Sequence, residues 1–438
     1  MRLGFIDFTF QGADPQGATG PLGVPGLPPG PTQDLRPAWM GRAAGFERSD
    51  VVRVFLTWAS IAPTRPRKQV DPADSAYHWE NADLSVRAAH ARGLSVIFTL
   101  AGPPRWAEGP HRPPDAPVST WRPDVTAFEA FARAAATRYS GHYRDLPRVD
   151  AWQMWNEPNI SDDLTPQWAR RDGRLHPEST DRFRGLLNAG YRAVKAISPK
   201  ALVVTAGTSP YGDPPGGRRI APVRFWRAVL ARPVHFDVVS HHPYAFFGPF
   251  HHAASSDNAA VPDMGRITRL VAAAVKKGRA LPRRTKRTWV TELSWDSSPP
   301  DPQGVPAQRH ARRLEGAFYV LWRQGVDTIS SGSSSATWRD PTTARRSNRG
   351  PTHVGVSPSP PRRPSASRSS PSPRRGARDT SGSGEGRPTP GGSSSSAARE
   401  RSGSPPRGSA SAREASSTAR SAGGGASSTG RGWAPRPR

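Results

Sequence analysis

Residues 1–330 alternate between short apolar runs and amphipathic stretches, and this alternation restricts the fold more than any other feature of the chain. Strand-like runs are read at Leu3–Phe8, Val51–Thr57, Leu94–Leu100, Val149–Trp155, Leu202–Ala206, Phe236–Ser240 and Thr288–Leu293, with one more beginning at Val326–Ser330. Helical periodicity falls between them, at Leu35–Phe46, Asn81–Arg92, Val125–Tyr139, Thr180–Ile197, Val223–Leu230, Gly265–Lys277 and Ala307–Gln324. Gly93 and Pro199 stop two of these helices. Strands that alternate with helices pair in parallel through right-handed crossovers. Eight such repeats predict an α/β fold, a (β/α)8 TIM barrel rather than an open doubly wound sheet. A glycine-rich phosphate loop after the first run would point to a dinucleotide fold, and the sequence has none there.

The composition changes abruptly after Ser330. Residues 331–438 contain no Leu, Ile, Phe, Tyr, Met or Lys, and consist mainly of Ser, Arg, Pro, Gly and Ala. Such a segment cannot bury enough apolar surface to offset the entropy lost on ordering. The chain is therefore predicted to be a barrel over 1–330 and a disordered tail over 331–438. The net charge of +27 divides into +14 on the tail and +13 on the body. The absence of cysteine excludes disulfides and thiolate-bound metals. No apolar run has the length of a membrane span, and the first strand follows Met1 so closely that no signal peptide is read.

Two segments carry the chemistry. Trp152-Gln-Met-Trp-Asn-Glu-Pro-Asn159 and Trp289-Val-Thr-Glu-Leu-Ser-Trp295 each place a glutamate at the end of a strand-like run among tryptophans. In a barrel these are the C-terminal ends of strands four and seven, where the chemistry of this fold is done. Two facing carboxyl groups are the minimum equipment for breaking a glycosidic bond, and a retaining enzyme holds them about 5–5.5 Å apart. Glu157 would serve as acid/base and Glu292 as nucleophile, with the acid's pKa raised by burial and by its partner's charge.

The Asn156-Glu157-Pro158 motif on strand four and Glu292 on strand seven resemble the large clan of retaining glycoside hydrolases with (β/α)8 barrels, the cellulase-like and β-xylosidase-like families. The resemblance covers residues 1–330. It implies that Asn156 binds the sugar 2-hydroxyl, and that Arg53 on strand two orients the nucleophile. Capping of the next loop, for Asn156, and a solvated charge at the barrel rim, for Arg53, are the plain alternatives. In His241-His242-Pro243-Tyr244 the clan places a His or Tyr beside the nucleophile, and His242 and Tyr244 are the candidates. Adjacent histidines point in opposite directions and lack a third ligand, so no metal site is read here. Trp58, Trp106, Trp155 and Trp295 sit at or just after strand ends and suit either a sugar-stacking platform or packing. Asp7 and Asp296 lie near the mouth without an assigned role, and the loops 11–34, 103–121, 159–178 and 209–221 would wall the cleft. The implied partner is a carbohydrate, with no cofactor, no specific nucleic acid and no membrane. Export, with a leader missing from this sequence, is what the family implies for location.

The resemblance fails after Ser330, where the clan's eighth strand normally carries a tryptophan that floors the sugar site. A GC-rich gene read out of frame yields the tail's composition. If each true codon begins one base earlier, Gly332 permits Trp, Ser333 to Ser335 permit apolar residues, Ala336 permits Arg and Thr337 permits Asp. Ser347 to Gly350 then permits Phe-Gln-Ser-Gly. The tail is accordingly read as out-of-frame translation, and the eighth strand as incomplete or damaged, with open sheet edges at strands seven and one. Two alternatives follow: a catalytically impaired carbohydrate-binding barrel, or polyanion binding through the basic tail.

Overall fold

A computed structural model of the chain describes residues 1–6, 40–41, 44–45, 49–298 and 303–332. Rich in β-branched and aromatic residues, the apolar runs fold as strands. They are β1 (Arg2–Ile6), β2 (Val51–Thr57), β3 (Ser95–Ala101), β4 (Ala151–Met154), β5 (Leu202–Thr205), β6 (Val238–His241), β7 (Arg287–Val290) and β8 (Thr328–Gly332). They close a parallel barrel in sequential order, with β8 between β7 and β1. The helices α1 (Glu80–His90), α2 (Val125–Arg138), α3 (Glu178–Ile197), α4 (Pro222–Val229), α5 (Met264–Lys276) and α6 (Ala307–Arg323) fill the crossovers. Local chemistry starts two of them. The Asp124 carboxylate accepts from the backbone N–H groups of Thr126 and Ala127 at the head of α2. Pro222, which has no N–H to satisfy, opens α4. The predicted helix Leu35–Phe46 lies mostly outside the described residues.

The eighth strand departs from expectation. Arg2 to Ile6 pair residue for residue with Thr328 to Gly332, and Trp289 and Val290 pair with Thr328 and Ile329. The anticipated open edges at strands seven and one are therefore absent, and the strand, five residues long, is more polar than its neighbours rather than missing. The reason is that a ladder is made of backbone N–H and C=O groups, which Ser330, Ser331 and Gly332 supply as well as apolar residues do. Barrel structure thus continues two residues beyond Ser330. Gly332, the position that back-shifts to Trp, ends β8, and the rest of the tail, from residue 333 on, lies outside the described residues.

Alternation along each strand sorts the barrel interior into layers. A lower layer is apolar: Val51, Ile97, Ala151, Val204, Val238 and Trp289 form one buried cluster. Two residues further along their strands stand Arg53, Thr99, Gln153, Ser240 and Thr291, all fully buried and all polar. Outward-facing Val52, Phe98, Trp152 and Val203 pack instead with helical residues such as Phe128 and Phe183 in the main core. The apolar layer seals the barrel, and the polar layer above it supports the site.

Candidate active site

Glu157 reaches the mouth through a strained turn. After β4, Trp155 N–H donates to the Leu100 carbonyl at 2.8 Å and Glu157 N–H to the Gly207 carbonyl at 3.0 Å. Between these anchors Trp155 has φ 74° and Glu157 has φ 25°. Backbone of this kind costs about 1–3 kcal/mol per residue and persists only where the surroundings impose it.

Glu292 follows β7 and is held from two sides. Arg53 Nη1 donates to its Oε2 at 2.8 Å, and the Tyr244 hydroxyl donates to its Oε1. The same guanidinium donates through Nη2 to Asn156 Oδ1 at 2.7 Å and through Nε to the Thr99 hydroxyl at 2.9 Å. The rim-charge alternative for Arg53 is excluded by its complete burial. Asn156 Nδ2 donates to Asp163 Oδ1 at 3.2 Å, which leaves a second amide hydrogen on that nitrogen.

His242 stands between the two carboxyl groups. Its Nδ1 is 2.9 Å from Glu157 Oε1 and 3.8 Å from Glu292 Oε2. Its Nε2 is 3.0 Å from the Thr291 hydroxyl. Gly207 makes room for the ring, since a Cβ there would lie 2.0 Å from Nε2. His241 points the other way, its nitrogens bonded to Thr208 Oγ1 at 2.9 Å and to the Ala259 carbonyl at 2.8 Å. It is a packing residue. Among the described residues no cluster of three or more His, Cys, Asp or Glu is arranged to hold a metal.

The electrostatics separate the two glutamates. Burial, and then the charge of Glu292, push the Glu157 carboxyl well above the usual carboxylate range, and Arg53 only partly opposes this. Burial also opposes ionisation of Glu292, but the facing His242 ring, Arg53 and Tyr244 outweigh it and hold Glu292 below the usual value. Burial lowers His242 to about 3, so the ring is neutral. The two carboxyl groups are thus pushed in opposite directions, Glu157 toward the acid form and Glu292 toward the anion, the division that acid-assisted nucleophilic displacement needs. Asp163, which accepts from Asn156, is also pushed up, first by the burial of its carboxyl group and then by Glu157.

The tryptophans are placed less as expected. Trp58 and Trp155 are 0% exposed. Trp58 stacks on Phe131 at 5.4 Å, and the Trp155 indole N–H donates to the Asp163 carbonyl at 3.0 Å. Neither has a free face for a sugar, because the helical layer closes over both. Trp295 is buried, donates to the Ala245 carbonyl at 2.6 Å and lies under Arg313. Trp106 is partly open, but its edge is tied to the Ala62 carbonyl at 2.8 Å and Arg65 lies over the ring. Open aromatic surface comes instead from the loop after Tyr244, where Phe246 and Phe247 are 72% and 80% exposed. Phe246 stacks on Tyr211 at 5.2 Å, and the Tyr211 hydroxyl donates to the Tyr244 carbonyl at 3.0 Å. A cavity of ≈ 360 Å³ between the loops after β3, β4 and β5 has Trp121, Trp168, Ser161 and Arg218 in its walls. Asp296 is exposed, and Asp7 lies outside the described residues.

Thr99, Gln153, Ser240, Thr291 and Asp163 complete the site, and all five escaped the sequence reading. Their signal is a polar residue inside each apolar run, two positions beyond an apolar inward residue in four of the five cases; Asp163 has no such signal.

No protein-family model matches the chain, and no curated protein matches it in sequence. Solved structures do align with it. A glucosidase from Croceicoccus marinus is 19% identical over 75% of this chain and 59% of its own, with a TM-score of 0.47. A family 39 glycoside hydrolase from Bacteroides cellulosilyticus WH2 is 16% identical over 68% of this chain and 53% of its own, with a TM-score of 0.44. The cellulose synthase subunit Z of Clostridioides difficile is 11% identical over 77% of this chain and 93% of its own, with a TM-score of 0.46. The chain spans only 59% and 53% of the first two.

Proposed function

We propose that this protein hydrolyses O-glycosidic bonds of a poly- or oligosaccharide by a retaining double displacement. Glu157 protonates the leaving oxygen while Glu292 attacks the anomeric carbon, giving a glycosyl-enzyme ester and a free alcohol. Glu157, now a carboxylate, then takes a proton from water, whose oxygen attacks the anomeric carbon and releases Glu292. The second sugar hydroxyl would meet the remaining hydrogen of Asn156 Nδ2.

The observation that carries this reading is the shared ring of His242. Carboxylate oxygens 2.9 and 3.8 Å from one nitrogen cannot be farther apart than those lengths laid end to end. That bound on the two nearest oxygens is compatible with a retaining pair, whose carboxyl groups stand about 5–5.5 Å apart. The opposed ionisation of the two glutamates supports the same assignment. Phe246 and Phe247 offer apolar faces to a sugar ring beside Tyr244. The closed ring of strands removes one ground for a merely sugar-binding barrel, the open sheet edges, while β8 carries no tryptophan.

The test is hydrolysis of an aryl β-glycoside panel, with the anomer released followed by proton NMR in the first minutes. Retained configuration, abolished by Glu292→Gln, is expected. First-formed product of inverted configuration would overturn the retaining mechanism. Hydrolysis that survived Glu292→Gln unchanged would overturn the assignment of the nucleophile.

A further inference from the structure

We infer that Thr291 is a positioning residue that fixes His242 as the tautomer protonated on Nδ1, so that the ring donates its hydrogen bond to Glu157. The direction of that bond is imposed from the far side of the barrel by a chain of hydrogen bonds that starts at Arg53. The kinetic part of this inference rests on the acid/base role proposed for Glu157; the bond directions do not.

Each link follows from what its atoms can do. Arg53 Nε is only a donor, so the Thr99 hydroxyl 2.9 Å away must accept from it. Thr99 then spends its own hydrogen on Gln153 Oε1, also at 2.9 Å. The amide orientation of Gln153 is fixed independently. The other end of the amide faces the Thr205 carbonyl at 3.1 Å, an acceptor only, so that end must be the NH2 group. Its second hydrogen crosses the barrel to the Thr291 hydroxyl at 2.8 Å.

The Thr291 oxygen now has one lone pair and one hydrogen left for two neighbours. These are Ser240 Oγ at 2.7 Å and His242 Nε2 at 3.0 Å. If Thr291 donated to Ser240, the serine's own hydrogen would need another acceptor. Ser240 is fully buried, and Thr291 is the side-chain partner its hydroxyl has among the described residues. A buried hydroxyl hydrogen without an acceptor is costly. The arrangement that satisfies every hydrogen runs the other way. Ser240 donates to Thr291, Thr291 donates to His242 Nε2, and the proton of the neutral ring sits on Nδ1. There it meets Glu157 Oε1 at 2.9 Å.

The consequence is a bond that favours the carboxylate form of Glu157, set against burial and the charge of Glu292. The other charged and titratable groups facing Glu157 are Arg53 from β2, Tyr244 from the loop after β6, and Asp162 and Asp163 from its own loop. A ring locked in this tautomer can assist the step that leaves Glu157 ionised. It cannot accept the acid's proton through Nδ1.

The experiment is nitrogen-15 NMR of the full chain labelled at its 12 histidines, with His242 identified by the signals that vanish in His242→Asn. Two-bond couplings distinguish the tautomers. The expected pattern near pH 7 is protonated Nδ1 and bare Nε2; protonated Nε2, or an imidazolium, overturns the inference. In Thr291→Val the pattern is expected to become mixed. The alkaline limb of kcat/KM should move up by about one pH unit as Glu157 loses a donor. Thr291→Ser, which restores the hydroxyl, should restore both. An unmoved limb and an unmixed ring in Thr291→Val would remove Thr291 from the role. If Thr291→Val does not fold, the wild-type ring pattern decides alone. If the wild-type protein has no glycosidase activity, the proposed function fails while the tautomer is still read.

Discussion

Arg53 Nη1 lies 2.8 Å from Glu292 Oε2, and the guanidinium that makes this bond is completely buried. The pair joins the second strand of the barrel to the seventh. A buried ion pair of this kind is dangerous to break, because the charge left behind has no solvent to turn to.

Arg53→Met should therefore cost about 3–5 kcal/mol of stability. It should also raise the pKa of Glu292, since burial would be opposed by fewer groups. A nucleophile must be ionised, so the acid limb of the kcat/KM profile should move to higher pH. Denaturant unfolding and a pH–rate profile of the same variant check both parts.

Glu157 has the opposite linkage. Its folded-state pKa is raised, so the native state holds a proton that the unfolded chain releases. That contribution is fully present below the unfolded glutamate value of about 4.3 and is lost as pH rises through the raised folded value. Glu157→Gln keeps the shape without the charge. It should match wild type in melting temperature near pH 4 and exceed it near pH 8, by about 2–4 °C for each kcal/mol gained. A melting temperature equal to wild type at both pH values would mean that the Glu157 carboxyl is not destabilised by burial.

The same variant should show which bond the acid protonates. Loss of a general acid slows hydrolysis by about 10²–10⁴-fold where the leaving group needs a proton. Phenyl glycosides should show that loss in their first step, whereas dinitrophenyl glycosides, whose leaving group departs as an anion, should be nearly spared. Presteady-state release of the phenol separates this step from the slower attack of water.

The aromatic residues divide into two kinds with different signatures. Trp58→Ala removes a wholly buried indole and should destabilise the fold by about 3–5 kcal/mol. Phe247→Ala alters an exposed ring and should change stability by no more than about 0.5 kcal/mol. If the loop after β6 contacts sugar, Phe247→Ala should raise KM for an oligosaccharide several-fold while leaving small aryl glycosides unaffected. Equal effects on both substrates would place the ring elsewhere in the reaction.

Much of this architecture could be read from periodicity. Each of the eight strands overlaps its apolar run, because branched and aromatic residues that alternate or cluster leave few other ways to bury themselves. The fate of the last strand could not be read in this way. Ser330, Ser331 and Gly332 look like a breakdown of the pattern, yet a strand locked between two neighbours needs only its backbone. Glu157, Glu292, His242 and Tyr244 were visible as polar residues at strand ends, and Arg53 as a charge inside the second apolar run. The roles of the tryptophans were not, because a strand-end tryptophan can turn toward the cleft or under a helix, and Trp58 and Trp155 turn under. Thr99, Gln153, Ser240 and Thr291 are invisible singly. They acquire meaning only when four strands bring them to one height in the barrel.

Trp289 occupies the barrel axis below that layer, packed with Val51, Ile97, Ala151, Val204 and Val238. Among the described residues this apolar layer closes the barrel beneath the two glutamates. On the proposed chemistry, water therefore reaches the sugar ester from the mouth, the side from which the alcohol departs. An alcohol that lingers at the mouth would find the sugar ester before water does, and an added acceptor held there would be glycosylated in its place.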